Sequence, residues 1–327
     1  MREPDSGQQP VQPVLASGPA ISVLIPTFNR CDALLLCLAH LERQTFQDFE
    51  VIVVDDGSTD GTEHAIGEVL EHGRLALRYM RQQNSGPAKA RNLAVSLAQA
   101  PLLVVIGDDI MASPTFLAEH LALHRAQPEP HIAGLGLTRW SETGQTVTPF
   151  MRWMDDSGTQ FAYGDLLRGV EPRYIHFYTS NLSVKTELLR RHPFDERFTR
   201  ERWMVEDMEL GYRLEQKEGM RLVFLPAAYA EHIHPTDFDK ACRRAAMAGV
   251  SLRLFDELWP DRPQPRRGRL HRALRGFLSR NDWLLGPVTA VTRLLTHVWC
   301  PNPLLSPVLA YHAETGRRRG GSDVAAP

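Results

Sequence analysis

From Ile21 to Asp109 the chain alternates short apolar runs with runs of helical period. ISVLIP (21–26), FEVIVVDDG (49–57), LALRYMRQ (75–82) and PLLVVIGDD (101–109) are apolar and strand-length. CDALLLCLAHLERQ (31–44), TEHAIGEVLEHG (62–73) and PAKARNLAVSLAQA (87–100) lie between them and carry apolar residues at helical spacing. Each intervening segment is long enough for the helical crossover that parallel strands need. A run of such units predicts an α/β fold with a mainly parallel sheet covered on both faces, and in such sheets ligands sit at the carboxyl ends of the strands.

Two of these strands end in acidic pairs, Asp55–Asp56 and Asp108–Asp109, so the topology brings both pairs to one rim. A single pair reads as turn chemistry, and Ser58, Thr59 and Asp60 read as caps for the next helix. Two pairs at equivalent strand ends point to a shared cleft. The formal net charge is −2, so no general basic field exists to hold nucleic acid, and any anion is bound locally. Carboxylates repel phosphate, which makes a divalent cation the intermediary to a diphosphate, with Asp109 as its first ligand. Between the pairs, NSGPAKARN (84–92) offers Gly86 for close backbone approach, Pro87 for a first helical turn, and the cations Lys89 and Arg91.

Taken in order, SVLIPTFNR, VIVVDDGSTDGT, GPAKARN, VVIGDDI, SNLSVKTELL and VEDMELGYRL resemble the motifs of family 2 glycosyltransferases with the A-type nucleotide-sugar fold, over about residues 20–235. The resemblance implies a Rossmann-like sheet flanked by helices, followed by a C-terminal helical extension. It implies that Pro26, Thr27, Asn29, Arg30, Asp55 and Asp56 hold the nucleotide, with Arg91 near the diphosphate. The family's metal motif reads Asp-x-Asp, whereas this chain has Gly107, Asp108 and Asp109. By position, Asp109 then coordinates Mn2+ or Mg2+, and Asp108 contacts the ribose or a metal-bound water. His232 is the first choice for a further metal ligand and His234 the second. Asp207, in a Glu206–Asp207 pair at a helix start, matches the catalytic base, and Glu206 orients it. The segment around Asn181 corresponds to the acceptor side of the cleft.

The implied activity is an inverting, metal-dependent transfer from a nucleotide-diphospho-sugar, UDP favoured, to a glycan, lipid-linked or other hydroxyl acceptor in glycan or glycolipid biosynthesis. No Gln-x-x-Arg-Trp motif follows Asp207, which favours single-sugar transfer over polymer synthesis. The competing readings are a catalytically silent sugar-nucleotide binder and a phospho-acceptor receiver domain; a receiver is far shorter and needs a Lys at the end of a late strand.

Outside these motifs the sequence is less regular. Residues 1–19 are rich in Pro, Gly, Gln and Ser and read as a disordered leader. Residues 20–110 form the nucleotide half and 111–235 the acceptor half, where Trp140, Phe150, Trp153 and Tyr163 are placed either to stack on sugar faces or to pack on the domain. Residues 236–327 read as helices interrupted by a basic linker. Arg266, Arg267, Arg269, Arg272 and Arg275 there suit peripheral contact with an anionic membrane, against the alternative of packing on the catalytic core or a partner. The four cysteines, Cys31, Cys37, Cys242 and Cys300, follow no framework spacing, and no signal peptide opens the sequence, which points to the cytoplasm or the inner face of its membrane.

Overall fold

The computed structural model describes residues 18–199, 204–263, 283, 285–296, 300 and 302–319. Nearly all of the expected leader and the five arginines of the basic linker lie outside these residues. The first half follows the expected alternation: β1 (Ile21–Thr27), α1 (Cys31–Leu41), β2 (Phe49–Asp55), α2 (Thr62–His72), β3 (Leu77–Arg81), α3 (Pro87–Leu97) and β4 (Leu102–Ile106). Next come β5 (Ile110–Ala112), α4 (Phe116–Ala126), β6 (Ile132–Trp140), α5 (Pro149–Asp156) and α6 (Tyr163–Leu167). After a 3-10 turn (Tyr174–His176) follow β7 (Asn181–Lys185), α7 (Thr186–Arg191), α8 (Glu206–Glu218) and β8 (Arg221–His232). The chain then forms α9 (Phe238–Leu258), α10 (Leu285–Leu295) and α11 (Asn302–Arg319).

The strands form one eight-stranded sheet in the order β3-β2-β1-β4-β7-β6-β8-β5. Strands β3, β2, β1 and β4 are parallel, as the crossover helices require. The sheet is mixed beyond β4: β7 runs antiparallel to both β4 and β6, and β5 antiparallel to β8. These reversals position the site. Ile106, at the end of β4, pairs with Asn181, at the start of β7, so Tyr178 and Thr179 enter on the rim where Asp108 and Asp109 leave. At the other edge His232 pairs with both Ile110 and Trp140, and the Ile233 amide donates to the Asp109 carbonyl at 3.0 Å. The end of β8 is thereby fastened to the acidic turn.

Alternate residues of the central strands feed two cores. Leu24, Ile52, Leu103 and Val105 pack with α3, α7 and α8 on one face, and Val23, Ile25, Val51 and Val104 with α1 and α4 on the other. Burial on both faces explains why these strands are apolar throughout rather than alternating.

The C-terminal helices share cores with the preceding residues. Phe150, Trp153 and Met154 of α5 pack with Phe238, Ala241 and Cys242 of α9 and with Leu305, Val308 and Leu309 of α11. Leu254 and Phe255 of α9 join Tyr174, Phe198 and Tyr212. The expected boundary at residue 235 therefore runs through shared hydrophobic cores. Helices α9 and α11 cross at backbone contact: a Cβ at Gly249 would lie 1.8 Å from the Ala313 carbonyl oxygen, and one at Gly316 would lie 1.8 Å from that of Ala246. Among the described residues no helix is long and apolar enough to cross a membrane.

Candidate active site

The turns after β1 and β2 interlock. Asn29 has a left-handed backbone (φ 52°), which its short amide tolerates. Its amide N–H donates to Ser58 Oγ at 2.8 Å, and its side-chain oxygen accepts from the Thr59 amide at 2.8 Å. Asp60 accepts from the Cys31 amide at 2.9 Å and from the Thr62 hydroxyl at 2.6 Å, linking the starts of α1 and α2. Pro26 pairs with Val54 inside the sheet. The first acidic pair is built into this scaffold. Asp55 is fully buried and accepts from the Ser58 amide at 2.8 Å and the Tyr79 hydroxyl at 2.7 Å. Asp56 accepts from Gln82 Nε2 at 2.7 Å and from the amides of Ser85 at 2.8 Å and Gly86 at 2.7 Å. Asp56 thus ties the glycine approach before α3 to the turn after β2.

The second pair has a different surrounding. Thr27 Oγ1 donates to Asp108 at 2.8 Å, and Arg30 donates to Asp108 at 2.9 Å and to Asp109 at 2.6 Å. On the same Asp109 oxygen converge His232 Nε2 at 3.0 Å and His234 Nδ1 at 3.1 Å. Burial pushes the Asp108 carboxyl up to about 6, with Arg30 opposing and Asp109 adding to the rise. Burial acts the same way on Asp109, yet His232, His234 and Arg30 around it hold it well below the usual carboxylate range. The ligand atoms of Asp109, His232 and His234 lie within 4.8 Å of one another. One carboxylate with two imidazoles is a donor set that suits a divalent cation. The Nδ1 of His232 is buried without a hydrogen-bond partner, and its ring stacks on Trp140 at 5.1 Å and 7°. Both His232 and His234 reach the cluster, where the sequence led us to expect only one of the two.

A second carboxylate centre forms at the start of α8. Arg91 Nη1 donates to Glu206 Oε1 at 2.6 Å, while Glu206 Oε2 is buried without a partner. Burial pushes Glu206 up to about 7, with Arg91 opposing and Asp207 adding to the rise. Asp207 is also raised by burial, against Arg91 and the backbone amides of Met208 and Thr179. Arg91, expected near the diphosphate, has its charge engaged by Glu206. A ring layer connects the two centres. Phe161 lies 4.8 Å from Tyr178 and 6.0 Å from His232, and Tyr178, near enough to feel the Asp207 charge, is pushed up to about 12, chiefly by burial.

Two residues expected on the acceptor side lie elsewhere. Asn181 is fully buried, its amide group donating to the Leu137 and Ala228 carbonyls and its oxygen accepting from His120 Nε2 at 2.9 Å. It organises a core network with Ser183 and His124. Trp153 is buried between α9 and α11 rather than open to a sugar face. Sequence reasoning missed Arg244, whose Nη1 donates to His234 Nε2 at 3.2 Å. Its signal was a charge one helical turn from both Ala241 and Met247, on a face otherwise buried.

Residues 22–182 match the family model described as Glycosyl transferase family 2. Two validoxylamine A glucosyltransferases of Streptomyces hygroscopicus are similar in sequence. That of subsp. jinggangensis is 35% identical over 221 residues, 60% of this chain and 51% of the relative. That of subsp. limoneus is 36% identical over 222 residues, 60% of this chain and 48% of the relative. The chain therefore spans about half the length of these curated relatives. Among solved structures, a mannosyltransferase from Pyrobaculum calidifontis in complex with GDP-Man and Mn2+ superposes with a TM-score of 0.63 at 19% identity, covering 92% of this chain and 86% of that one. GalNAc-T7 with UDP, GalNAc and Mn2+ gives a TM-score of 0.54 at 15% identity over 75% of this chain and 49% of that one.

Proposed function

With residues 22–182 belonging to glycosyl transferase family 2 on an A-type α/β scaffold, we propose that this chain transfers one sugar from a nucleotide-diphospho-sugar to a hydroxyl acceptor, inverting the anomeric centre. The observation that carries the reading is the pairing of two unlike carboxylate centres on one rim, Asp109 among nitrogens and Glu206–Asp207 beside Arg91, joined through Tyr178 and Phe161.

Asp207 is the base. Its raised affinity for a proton suits it to take one from an acceptor hydroxyl, and direct displacement by that oxygen gives inversion. Glu206, fixed by Arg91, orients Asp207, whose charge in turn adds to the rise of Glu206. Asp109, His232 and His234 would hold Mn2+ or Mg2+, which when bound offsets charge on the departing diphosphate. Pro26, Thr27, Asn29 and Arg30 shape the nucleotide turn. Asp55 and Asp56 support it from behind, since both already accept from protein donors. Asp108, which accepts from Thr27 and Arg30, would contact the ribose or a metal-bound water. The named activities of the Streptomyces relatives favour hexosyl transfer.

A thermal-shift screen of UDP-, GDP-, dTDP- and CDP-sugars, each with Mn2+ and with chelator, tests the donor class. A cognate donor at a hundredfold excess over its dissociation constant should stabilise by about 2.7 kcal/mol. No metal-dependent shift with any donor would defeat the reading, and absence of donor turnover despite binding would show a silent binder.

A further inference from the structure

His234 is flanked by a guanidinium at each ring nitrogen: Arg30, from the turn after β1, contacts Nδ1, and Arg244, from the middle of α9, contacts Nε2. A neutral imidazole has one lone pair, whereas a guanidinium only donates. The ring can therefore accept from one of the two arginines. Asp109 and Asp108 both engage Arg30, so among the described residues Arg244 is the one of the two guanidiniums with no carboxylate hydrogen-bonded to it. Among the described residues the hydrogen bond to His234 is the one that Arg244 makes, and its guanidinium lies close enough to feel both the Asp109 and the Arg30 charges.

Building on the function proposed above, we infer that Arg244 is a donor-binding residue that contacts the diphosphate through the guanidinium edge facing away from His234. Two features support this. A guanidinium fork matches the spacing of phosphate oxygens and gains most where water is partly excluded. It also resolves the donor conflict at His234. With Nδ1 given to a cation, the His234 proton would sit on Nε2, and Nε2–H and the Arg244 guanidinium, 3.2 Å apart, would be two donors that one phosphate oxygen beside them would satisfy.

The helix crossing fixes where Arg244 stands. Ala246 and Gly249, two and five residues further along α9, are in backbone contact with Gly316 and Ala313 of α11, so α9 cannot slide without moving both. The C-terminal helices thereby enter the donor site through one side chain.

Titration calorimetry in Mn2+ tests this with the full chain, using the best-binding nucleoside diphosphate of UDP, GDP, dTDP and CDP, and the matching nucleoside. Arg244→Met, which keeps the apolar stem, should weaken the diphosphate by about tenfold or more and leave the nucleoside unchanged. Arg244→Lys should fall between, because it keeps the charge and loses the fork. Undiminished diphosphate affinity in Arg244→Met, or an equal loss for nucleoside and diphosphate, would overturn the assignment. If Arg244→Met fails to fold, the same criteria apply to Arg244→Lys. Failure of the unaltered protein to bind any of the four diphosphates would instead strike the proposed function, and this inference with it.

Discussion

Arg91 and Glu206 lie 115 positions apart and meet at 2.6 Å, their side chains 12% and 5% exposed. A pair this far from water is costly to break from one side. Arg91→Met leaves a buried carboxyl without its cation and is expected to lower stability by roughly 3 to 5 kcal/mol. Arg91→Met combined with Glu206→Gln should recover most of that loss. Urea unfolding of the single and double variants measures the coupling, and additive losses would show that the contact contributes nothing.

The same burial makes stability depend on pH. The folded-state affinity of Glu206 for a proton is raised, from 4.5 to about 7, so the native state binds that proton more tightly than the unfolded chain. Its contribution is fully present below the unfolded value and is lost as pH rises through the folded one. The unaltered protein should therefore lose stability relative to Glu206→Gln between about pH 4.5 and pH 7. Denaturation midpoints across that interval test the sign, and parallel curves would remove Glu206 as the titrating group.

Asp109→Ala should abolish Mn2+-dependent donor binding and leave a folded protein, because Arg30 keeps Asp108 as partner. His232→Ala and His234→Ala should each weaken Mn2+ binding, measured by electron paramagnetic resonance without donor. Retention of full Mn2+-dependent donor affinity in Asp109→Ala would take the cation out of this cluster.

Asp207→Asn keeps the shape of the side chain and removes the base. Transfer should fall by about a hundredfold or more, with donor and metal binding near normal. A merely stabilising acid in the first turn of α8 would contribute on the order of 0.3 to 1 kcal/mol to folding and leave turnover intact. Product stereochemistry by NMR is a second check: retention at the anomeric carbon is incompatible with Asp207 acting in a single displacement.

The half-sheet of β1 to β4 was legible because β1, β2 and β4 are buried on both faces and each helix carries one apolar stripe. The periodicities of sequence and fold therefore coincide. Asp109, His232 and His234 were legible for a similar reason, standing where strands end. The fate of Asn181 was not. An amide beside a sheet rim reads the same whether it faces a cleft or, as here, His120 and the Ala228 carbonyl. Trp153 posed the same difficulty, since its partners come from α9 and α11, far along the chain. Arg244 escaped because its role depends on helix placement, and no local pattern specifies which helix passes behind a histidine.

The crossing of α9 over α11 has a consequence for heredity as well as for packing. Because Gly249 and Gly316 each leave no room for a methyl group, neither helix can acquire a side chain at the contact unless its partner shifts in step. The two helices are expected to diversify as one inherited unit. Chimaeras with relatives should then succeed when both segments are exchanged together and fail when a junction falls between them.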